Sequence, residues 1–156
     1  MKTVKKNVYY CDFCKKRTLS ASSMSVHEKH CTANPDRKCR MCDDYSGVRE
    51  RVDELKKRFK LHESKLSYPD ETYFQETIIA VEWIGEPITM QEIRDLSDNC
   101  PNCMFAIIRQ TGLNRYYFAT NNGAENQFHF NYKKEMIETM RQKNNELTEK
   151  ERFNYY

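Results

Sequence analysis

The sequence has no long apolar run. No stretch of eighteen apolar residues occurs, and the basic start at residues 1–6 leads into tyrosine and cysteine without an apolar signal region. We therefore expect a protein that neither spans a membrane nor is secreted through such a signal. The predicted location is the cytoplasm, and no membrane partner is expected.

Hydrophobic residues are scarce as well. They form 38% of the 156 residues, against 31% charged residues, which is lean for a compact domain. A chain of this length cannot bury a large core unaided, so we expect a metal or a partner to supply part of its stability. Three Cys-x-x-Cys pairs account for most of the seven cysteines. In a reducing cytoplasm such pairs indicate metal ligands rather than disulfides.

The first group of candidate metal ligands lies near the N-terminus. Cys11 and Cys14 are followed after twelve residues by His27, and Cys31 stands four positions further on. This spacing is typical of a ββα finger, in which the first pair sits on a hairpin turn and the second on one helix face. His30 is the alternative fourth ligand, and the sequence leaves the choice open, although the three-residue gap favours Cys31.

The small core of this finger is predicted from Tyr9 and Met24. The position four residues after the second cysteine usually carries an aromatic side chain, but here it is Thr18. We expect Leu19 or Phe13 to take its place.

A second group of ligands is predicted from the four remaining thiols. Cys39 and Cys42 form one pair and Cys100 and Cys103 the other, which is the set that a closed four-cysteine zinc site needs. Such a site would join the finger to the second pair across 57 intervening residues, residues 43–99. The alternative is that one pair stays reduced or forms a local disulfide. The prediction is therefore two zinc ions per chain.

Both predicted centres have four protein ligands, an arrangement typical of structural zinc. No position remains for an activated water, so we expect no catalytic residue, no enzyme activity and no small-molecule substrate. The alternative is a thiol-disulfide redox centre, since Cys100-Pro101-Asn102-Cys103 opens a predicted helix, where a thiol can be activated. That alternative is disfavoured because no strand of a βαβ unit clearly precedes it.

Residues 9–31 resemble the Cys2His2 zinc-finger family in its Cys2HisCys variant. Other segments resemble small zinc-finger proteins of tailed bacteriophages, namely Val26-His27-Glu28-Lys29-His30-Cys31-Thr32 followed by Asn34-Pro35, Cys39-Arg40-Met41-Cys42, Cys100-Pro101-Asn102-Cys103 and Arg109-Gln110. This second resemblance implies a phage origin and action in the bacterial cytoplasm. It implies no particular activity.

Positive charge is concentrated at the N-terminal end. Residues 1–42 carry ten Lys and Arg side chains against three acids, a net charge of +7, whereas residues 43–156 carry −4. This asymmetry indicates a surface that faces a polyanion, and the alternative is a solvated, lysine-rich face. The residues predicted to contact nucleic-acid phosphates are Lys15, Lys16, Arg17 and Lys29.

The predicted finger helix is not suited to reading bases. Ser20, Ser23 and Val26 occupy the base-reading positions, where arginine, asparagine or glutamine would be expected. Any nucleic-acid binding is therefore expected to be independent of sequence. A protein partner, such as a host protein of a phage, is the alternative, because ten tyrosines and eight phenylalanines are more than a lean core needs.

We predict an α+β fold with a ββα finger at residues 1–33 and a mainly helical zinc-bound domain at residues 34–142. Residues 143–156 are predicted to be a polar, frayed tail. Apolar spacing predicts a helix from Gly47 to about Lys65, whereas residues 73–84 fit either a strand or a buried helix. Cap and turn residues predict further elements: a helix from Met90 capped by Thr89 and Glu92, a helix from Pro101 to Gly112, a hairpin of residues 116–120 and 127–130, and a last helix capped by Asn131.

Overall fold

Short hairpins and helices alternate along the chain. The computed structural model describes residues 5–42, 48–67, 75–115, 118–120, 123–125, 128 and 130–153. In chain order the elements are β1 (Tyr9–Tyr10), β2 (Arg17–Thr18), α1 (Ala21–His30), α2 (Val48–Lys56), β3 (Phe59–Ser67), β4 (Gln75–Trp83), α3 (Met90–Leu96), α4 (Pro101–Thr111), a 3-10 turn (Leu113–Arg115), β5 (Phe118–Thr120), β6 (Gly123–Glu125) and α5 (Tyr132–Phe153). Each of the described strands pairs with its neighbour in sequence, as β1-β2, β3-β4 and β5-β6. The α+β class is confirmed.

The N-terminal unit is a ββα finger, as predicted. β1 and β2 pair antiparallel, and the Cys11 N–H donates to the Lys16 carbonyl at 3.0 Å across the turn between them. Ser20 caps α1, because its Oγ accepts from the Ser23 N–H at 3.3 Å. The turn and the helix are therefore each fixed by local hydrogen bonds.

The core of the finger is smaller than the sequence indicates. Met24 is buried, with 4% of its surface exposed, beside two of the finger's cysteines. Tyr9, Phe13 and Leu19 are exposed by 36%, 40% and 62%. The expectation that Tyr9, with either Leu19 or Phe13, helps to fill the core is wrong, because the buried residues there are Cys11, Met24 and Cys31.

The main hydrophobic core surrounds α4. The residues buried in it come from α2, α3, α4 and the segments around them: Val52, Leu55, Phe59, Ile88, Ile93, Met104, Ile107, Ile108, Leu113 and Phe128. Helix α4 presents an almost continuous buried face, with Met104, Ala106 and Ile107 at 0% exposure. Helices α2, α3 and α5 all contact it.

The helix predicted from Gly47 to Lys65 is too long. Gly47 lies outside the described residues, α2 ends at Lys56, and β3 begins at Phe59. Phe59 fits the helical spacing of α2, but it pairs with Trp83 of β4 and its ring packs edge-on at a centroid distance of 5.7 Å. The long-range strand pairing decides the conformation here. Of residues 73–84, residues 75–83 form a strand, and residues 73 and 74 lie outside the described part.

Local capping signals place the next two helices correctly. Thr89 Oγ1 accepts from the Glu92 N–H at 3.1 Å at the start of α3, while the Glu92 carboxylate pairs with Arg58 rather than with the cap. Pro101 occupies the first turn of α4. Gly112 ends that helix in the left-handed region, with φ of 87°.

The C-terminal region differs from the prediction in two ways. In the C-terminal hairpin, β5 pairs with residues 123–125 and not with the predicted residues 127–130. Phe128 and Phe130 are not in a strand, and residues 127 and 129 lie outside the described part. Asn131 caps the last helix as predicted, since its Oδ1 accepts from the Lys134 N–H at 3.0 Å. However, α5 continues to Phe153, so the segment predicted as a frayed tail from residue 143 is helical as far as Phe153. None of the described helices is long and apolar enough to cross a bilayer.

Candidate metal centres

The first centre lies between the finger's turn and the end of its helix. Cys11 and Cys14 come from the turn after β1, and His27 and Cys31 come from the last turn of α1 and the residue after it. The four ligand atoms lie within 4.8 Å of one another. The Cys14 Sγ to His27 Nε2 distance is 3.3 Å, close to the roughly 3.5 Å expected when both bind one tetrahedral zinc ion.

The thiols of this centre do not ionise alike in the absence of a cation. Burial opposes ionisation of Cys14, but hydrogen bonds from the Lys16 N–H and from His27 prevail and lower the pKa of its thiol to about 6. Burial, with the neighbouring cysteine sulfurs, raises the pKa of Cys31 to about 11. A divalent cation between the sulfurs would offset this repulsion and allow all three thiols to bind as thiolates.

Cys31 rather than His30 completes the first group. The Sγ of Cys31 belongs to the cluster of four ligand atoms and the residue is 2% exposed. His30 Nδ1 instead lies 2.9 Å from the carbonyl oxygen of Lys38. His30 therefore holds the segment that leads to the second centre.

The second centre joins two distant parts of the chain. The sulfurs of Cys39, Cys42, Cys100 and Cys103 lie within 4.8 Å of one another. Cys39 Sγ is 3.7 Å from Cys100 Sγ, and Cys42 Sγ is 3.5 Å from Cys103 Sγ. Four sulfurs about 2.3 Å from one tetrahedral zinc are separated by roughly 3.8 Å, so the arrangement fits a metal. These distances exceed the about 2.05 Å of a disulfide, and the seven cysteines are thiols.

Helix α4 presents two of these sulfurs from its N-terminal end. Cys100 is the residue that precedes the helix and Cys103 lies in its first turn, with the Cys103 N–H donating to the Cys100 carbonyl at 3.0 Å. The Met41 N–H donates to Cys39 Sγ at 3.3 Å. Backbone N–H groups and the positive end of the helix dipole both stabilise thiolate ligands.

The thiols of Cys39 and Cys103 in the second centre differ in how readily they ionise without a cation. Hydrogen bonds from Cys100 and Cys103 lower the pKa of Cys39 below its usual value. Hydrogen bonds with Cys100 and Cys39, together with burial, raise the pKa of Cys103 above its usual value. Four adjacent thiols cannot all ionise unaided, and a divalent cation would remove that obstacle.

Polar side chains beyond the sulfurs support the second centre. Asn102 Nδ2 donates to Cys39 Sγ at 3.5 Å, and Asn102 Oδ1 accepts from the Tyr132 hydroxyl at 3.3 Å. Burial raises the pKa of Tyr132, so the hydroxyl keeps the proton that it donates. A contact of this kind orients a ligand and tunes its basicity.

Arg37 is the most unusual of these supporting residues. It is only 4% exposed, and its Nη1 lies 3.7 Å from Cys103 Sγ. Its Nε and Nη2 atoms are buried and have no hydrogen-bond partner among the described residues. Sequence reasoning missed this residue, because an arginine two positions before a cysteine carries no signal that it is buried.

The segment between the two centres is fixed against α4. Gln110 Nε2 donates to the carbonyl oxygens of Thr32 and Asn34, each at 3.0 Å. Arg109 Nη1 donates to Thr32 Oγ1 at 2.9 Å. The finger is thus attached to the main core through side chains as well as through the second centre.

The four cations predicted to contact phosphates remain on the surface. Lys15, Lys16 and Arg17 follow the first pair of cysteines, and Lys29 lies near the end of α1. All four are exposed. The structure therefore brings together the eight predicted ligands in two groups and leaves the finger's cations accessible.

Comparisons with models of known protein families, with curated proteins and with solved structures found no match. The resemblance to zinc-finger proteins of tailed phages therefore stays a prediction. The functional interpretation of this chain therefore rests on its two groups of four candidate metal ligands.

Proposed function

We propose that the chain is a non-enzymatic zinc-binding module that uses its basic finger to contact nucleic-acid phosphates. The observation that carries the metal part is the presence of two groups of four ligand atoms, each within 4.8 Å. Thiolates with tetrahedral spacing favour zinc over the hard cations that prefer oxygen. With four protein ligands each, both ions would be structural.

Metal analysis of the purified protein tests this part of the proposal. We expect two zinc ions per chain, and we expect a chelator to remove them with loss of the helical signal in circular dichroism. A protein that is metal-free yet folded, or that keeps its helical signal after complete chelation, would contradict the proposal.

The nucleic-acid part is supported by the exposed cations of the finger. Contacts of lysine and arginine with phosphates release counterions, so affinity falls steeply as salt rises. We expect weak binding to mixed-sequence DNA and RNA at low salt, without sequence preference, because Ser23 and Val26 offer bases little to bond with.

A matched pair of variants tests this part. The first replaces the finger's cations: Lys15→Gln, Lys16→Gln, Arg17→Gln and Lys29→Gln. The second replaces exposed lysines elsewhere: Lys56→Gln, Lys57→Gln, Lys60→Gln and Lys133→Gln. We expect only the first to flatten the slope of log affinity against log salt, by about one unit for each phosphate that the protein no longer binds. Equal slopes in the two variants, or no binding at low salt, would favour the alternative of a protein partner.

A further inference from the structure

Two clefts beside the finger are lined by cations, and none of their described lining residues is acidic. The first has a volume of 620 Å³, within the range of roughly 300–1,000 Å³ that is typical of small-ligand pockets. Its wall combines Phe13 and Lys15 of the finger with Arg109 and Asn114 from the end of α4 and beyond. It therefore places an aromatic ring and two cations in one groove.

The second cleft has a volume of 290 Å³. Lys16 and His30 line it together with Arg40 and Asn102 from the second centre. Lys15 and Lys16 are consecutive, so the segment from Phe13 to Lys16 borders both clefts. The finger thus meets the rest of the protein along two neighbouring cationic surfaces.

The charge of these clefts differs from that of other cavities in the described part of the chain. Among described residues, none that lines either cleft is acidic, and the finger's acids Asp12 and Glu28 line neither. Two cavities along α5 include carboxylates instead, with Glu138 in both. The cavity with Lys133, Lys134 and Arg141 is also cationic, but it includes Glu138. The two clefts at the finger combine cations with no acidic side chain among their described lining residues, which complements a polyanion.

We propose, on the basis of the function proposed above, that these two clefts bind a single strand of nucleic acid. Phe13 is 40% exposed and borders the first cleft together with Lys15 and Arg109, so its ring is available to stack on a base. A basic groove combined with an accessible aromatic ring is the arrangement by which proteins hold single strands without reading their sequence. Lys15, Lys16, Arg40 and Arg109 supply the phosphate contacts.

A duplex is a poorer occupant of these surfaces. Base-specific reading of a duplex by a finger requires helix residues that hydrogen-bond to base edges. Because α1 carries Ser23 and Val26 at two of those positions, it offers little base-specific preference for a duplex. Both residues line the second cleft, and neither brings a charged group to it. In a duplex the base faces are also stacked on one another and cannot reach Phe13.

Fluorescence anisotropy tests this proposal with labelled DNA, used both as a single strand and as the duplex of the same sequence. A length of about 15 nucleotides lies within the site sizes of single-strand-binding folds. The zinc-loaded full chain is compared with Phe13→Ala and with Phe13→Tyr, which keeps the ring. A third variant, Tyr10→Ala, removes a ring that is 63% exposed but lines neither cleft. We expect Phe13→Ala to weaken binding of the single strand about 5- to 150-fold, the usual effect of losing one stacked base. Phe13→Tyr and Tyr10→Ala should leave it within about twofold.

Polyglutamate serves as a polyanion without bases. If Phe13→Ala weakens binding of duplex or polyglutamate as much as binding of the single strand, the stacking role of Phe13 is refuted and the phosphate contacts of the proposed function still stand. Equal affinity of the unmodified protein for duplex and single strand also overturns the single-strand inference alone. Absence of binding to any nucleic acid at low salt refutes this inference and the nucleic-acid part of the proposed function, and leaves its zinc part to the metal analysis.

Discussion

The guanidinium of Arg37 lies against the sulfur of Cys103, with Nη1 3.7 Å from Sγ, although 66 positions separate the two residues. A buried cation without a compensating charge is strongly unfavourable. A zinc ion bound by four thiolates has a net charge of −2, and Arg37 would neutralise half of it. The burial of Arg37 is therefore explained if the second centre holds a divalent metal.

Replacing this cation should weaken the second centre. We expect Arg37→Met to lower the affinity of one of the two zinc ions by about 10- to 100-fold, the usual effect of removing a residue that contacts a ligand. Competition with a chelating dye measures it. Arg40→Met is the control, because Arg40 is exposed and adjacent to Cys39. Equal effects of the two substitutions would contradict the role of Arg37.

The fourth ligand of the first centre can be identified by metal content. Cys31→Ser should reduce the stoichiometry from two zinc ions per chain to one, because it removes a ligand from the first group. His30→Ala should retain both ions, since it removes only the hydrogen bond between His30 Nδ1 and the Lys38 carbonyl. Native mass spectrometry distinguishes the two outcomes, and loss of an ion in His30→Ala would reverse the assignment.

The attachment of the finger to α4 should depend on Gln110. Gln110→Ala would leave the carbonyl oxygens of Thr32 and Asn34 without their donor, and we expect a decrease of about 1–3 kcal/mol in the free energy of unfolding. Urea denaturation at fixed zinc concentration measures this decrease. Gln91→Ala removes an exposed hydrogen bond to Asp95 and should change stability by less than about 0.5 kcal/mol. Similar values for the two variants would indicate that the attachment through Gln110 contributes little.

The end of α4 requires glycine. Gly112→Ala would place a side chain in the left-handed region, at φ of 87°, with a strain of about 1–2 kcal/mol. The added Cβ would also lie 2.8 Å from Leu61 Cδ1, which can move because it is the end of an exposed side chain. Gly85→Ala is the matched control, since a Cβ there meets nothing within 4 Å. Thermal unfolding should show a lower midpoint only for Gly112→Ala.

Features set by nearby residues were predictable from the sequence. The spacing of Cys11, Cys14 and His27, the cap at Thr89 and the helix end at Gly112 each depend on a few neighbouring positions. The second centre could be inferred because its two Cys-x-x-Cys pairs are the thiols that remain after the first group is assigned. The pairing itself has no local signal, and only the fold brings residues 39–42 and 100–103 together.

Features set by distant contacts could not be predicted in the same way. Phe59 fits the apolar face of α2, and only its pairing with Trp83 makes it a strand residue. The burial of Arg37 depends on Cys103, and the exposure of Phe13 depends on how little space the finger's core offers. In each case the side chain is compatible with two environments, and contacts with residues distant in sequence decide which of the two it occupies.

The 57 residues between the halves of the second centre impose an order on its assembly during translation. The ribosome adds residues from the N-terminus at about 5–20 per second, so the ligands of the finger emerge together, whereas Cys39 and Cys42 precede Cys100 by roughly three to twelve seconds. During that interval the nascent chain carries a complete first centre and only half of the second. A limited supply of the metal, or an oxidant, would in that interval meet Cys39 and Cys42 before the helix that carries Cys103 has been made.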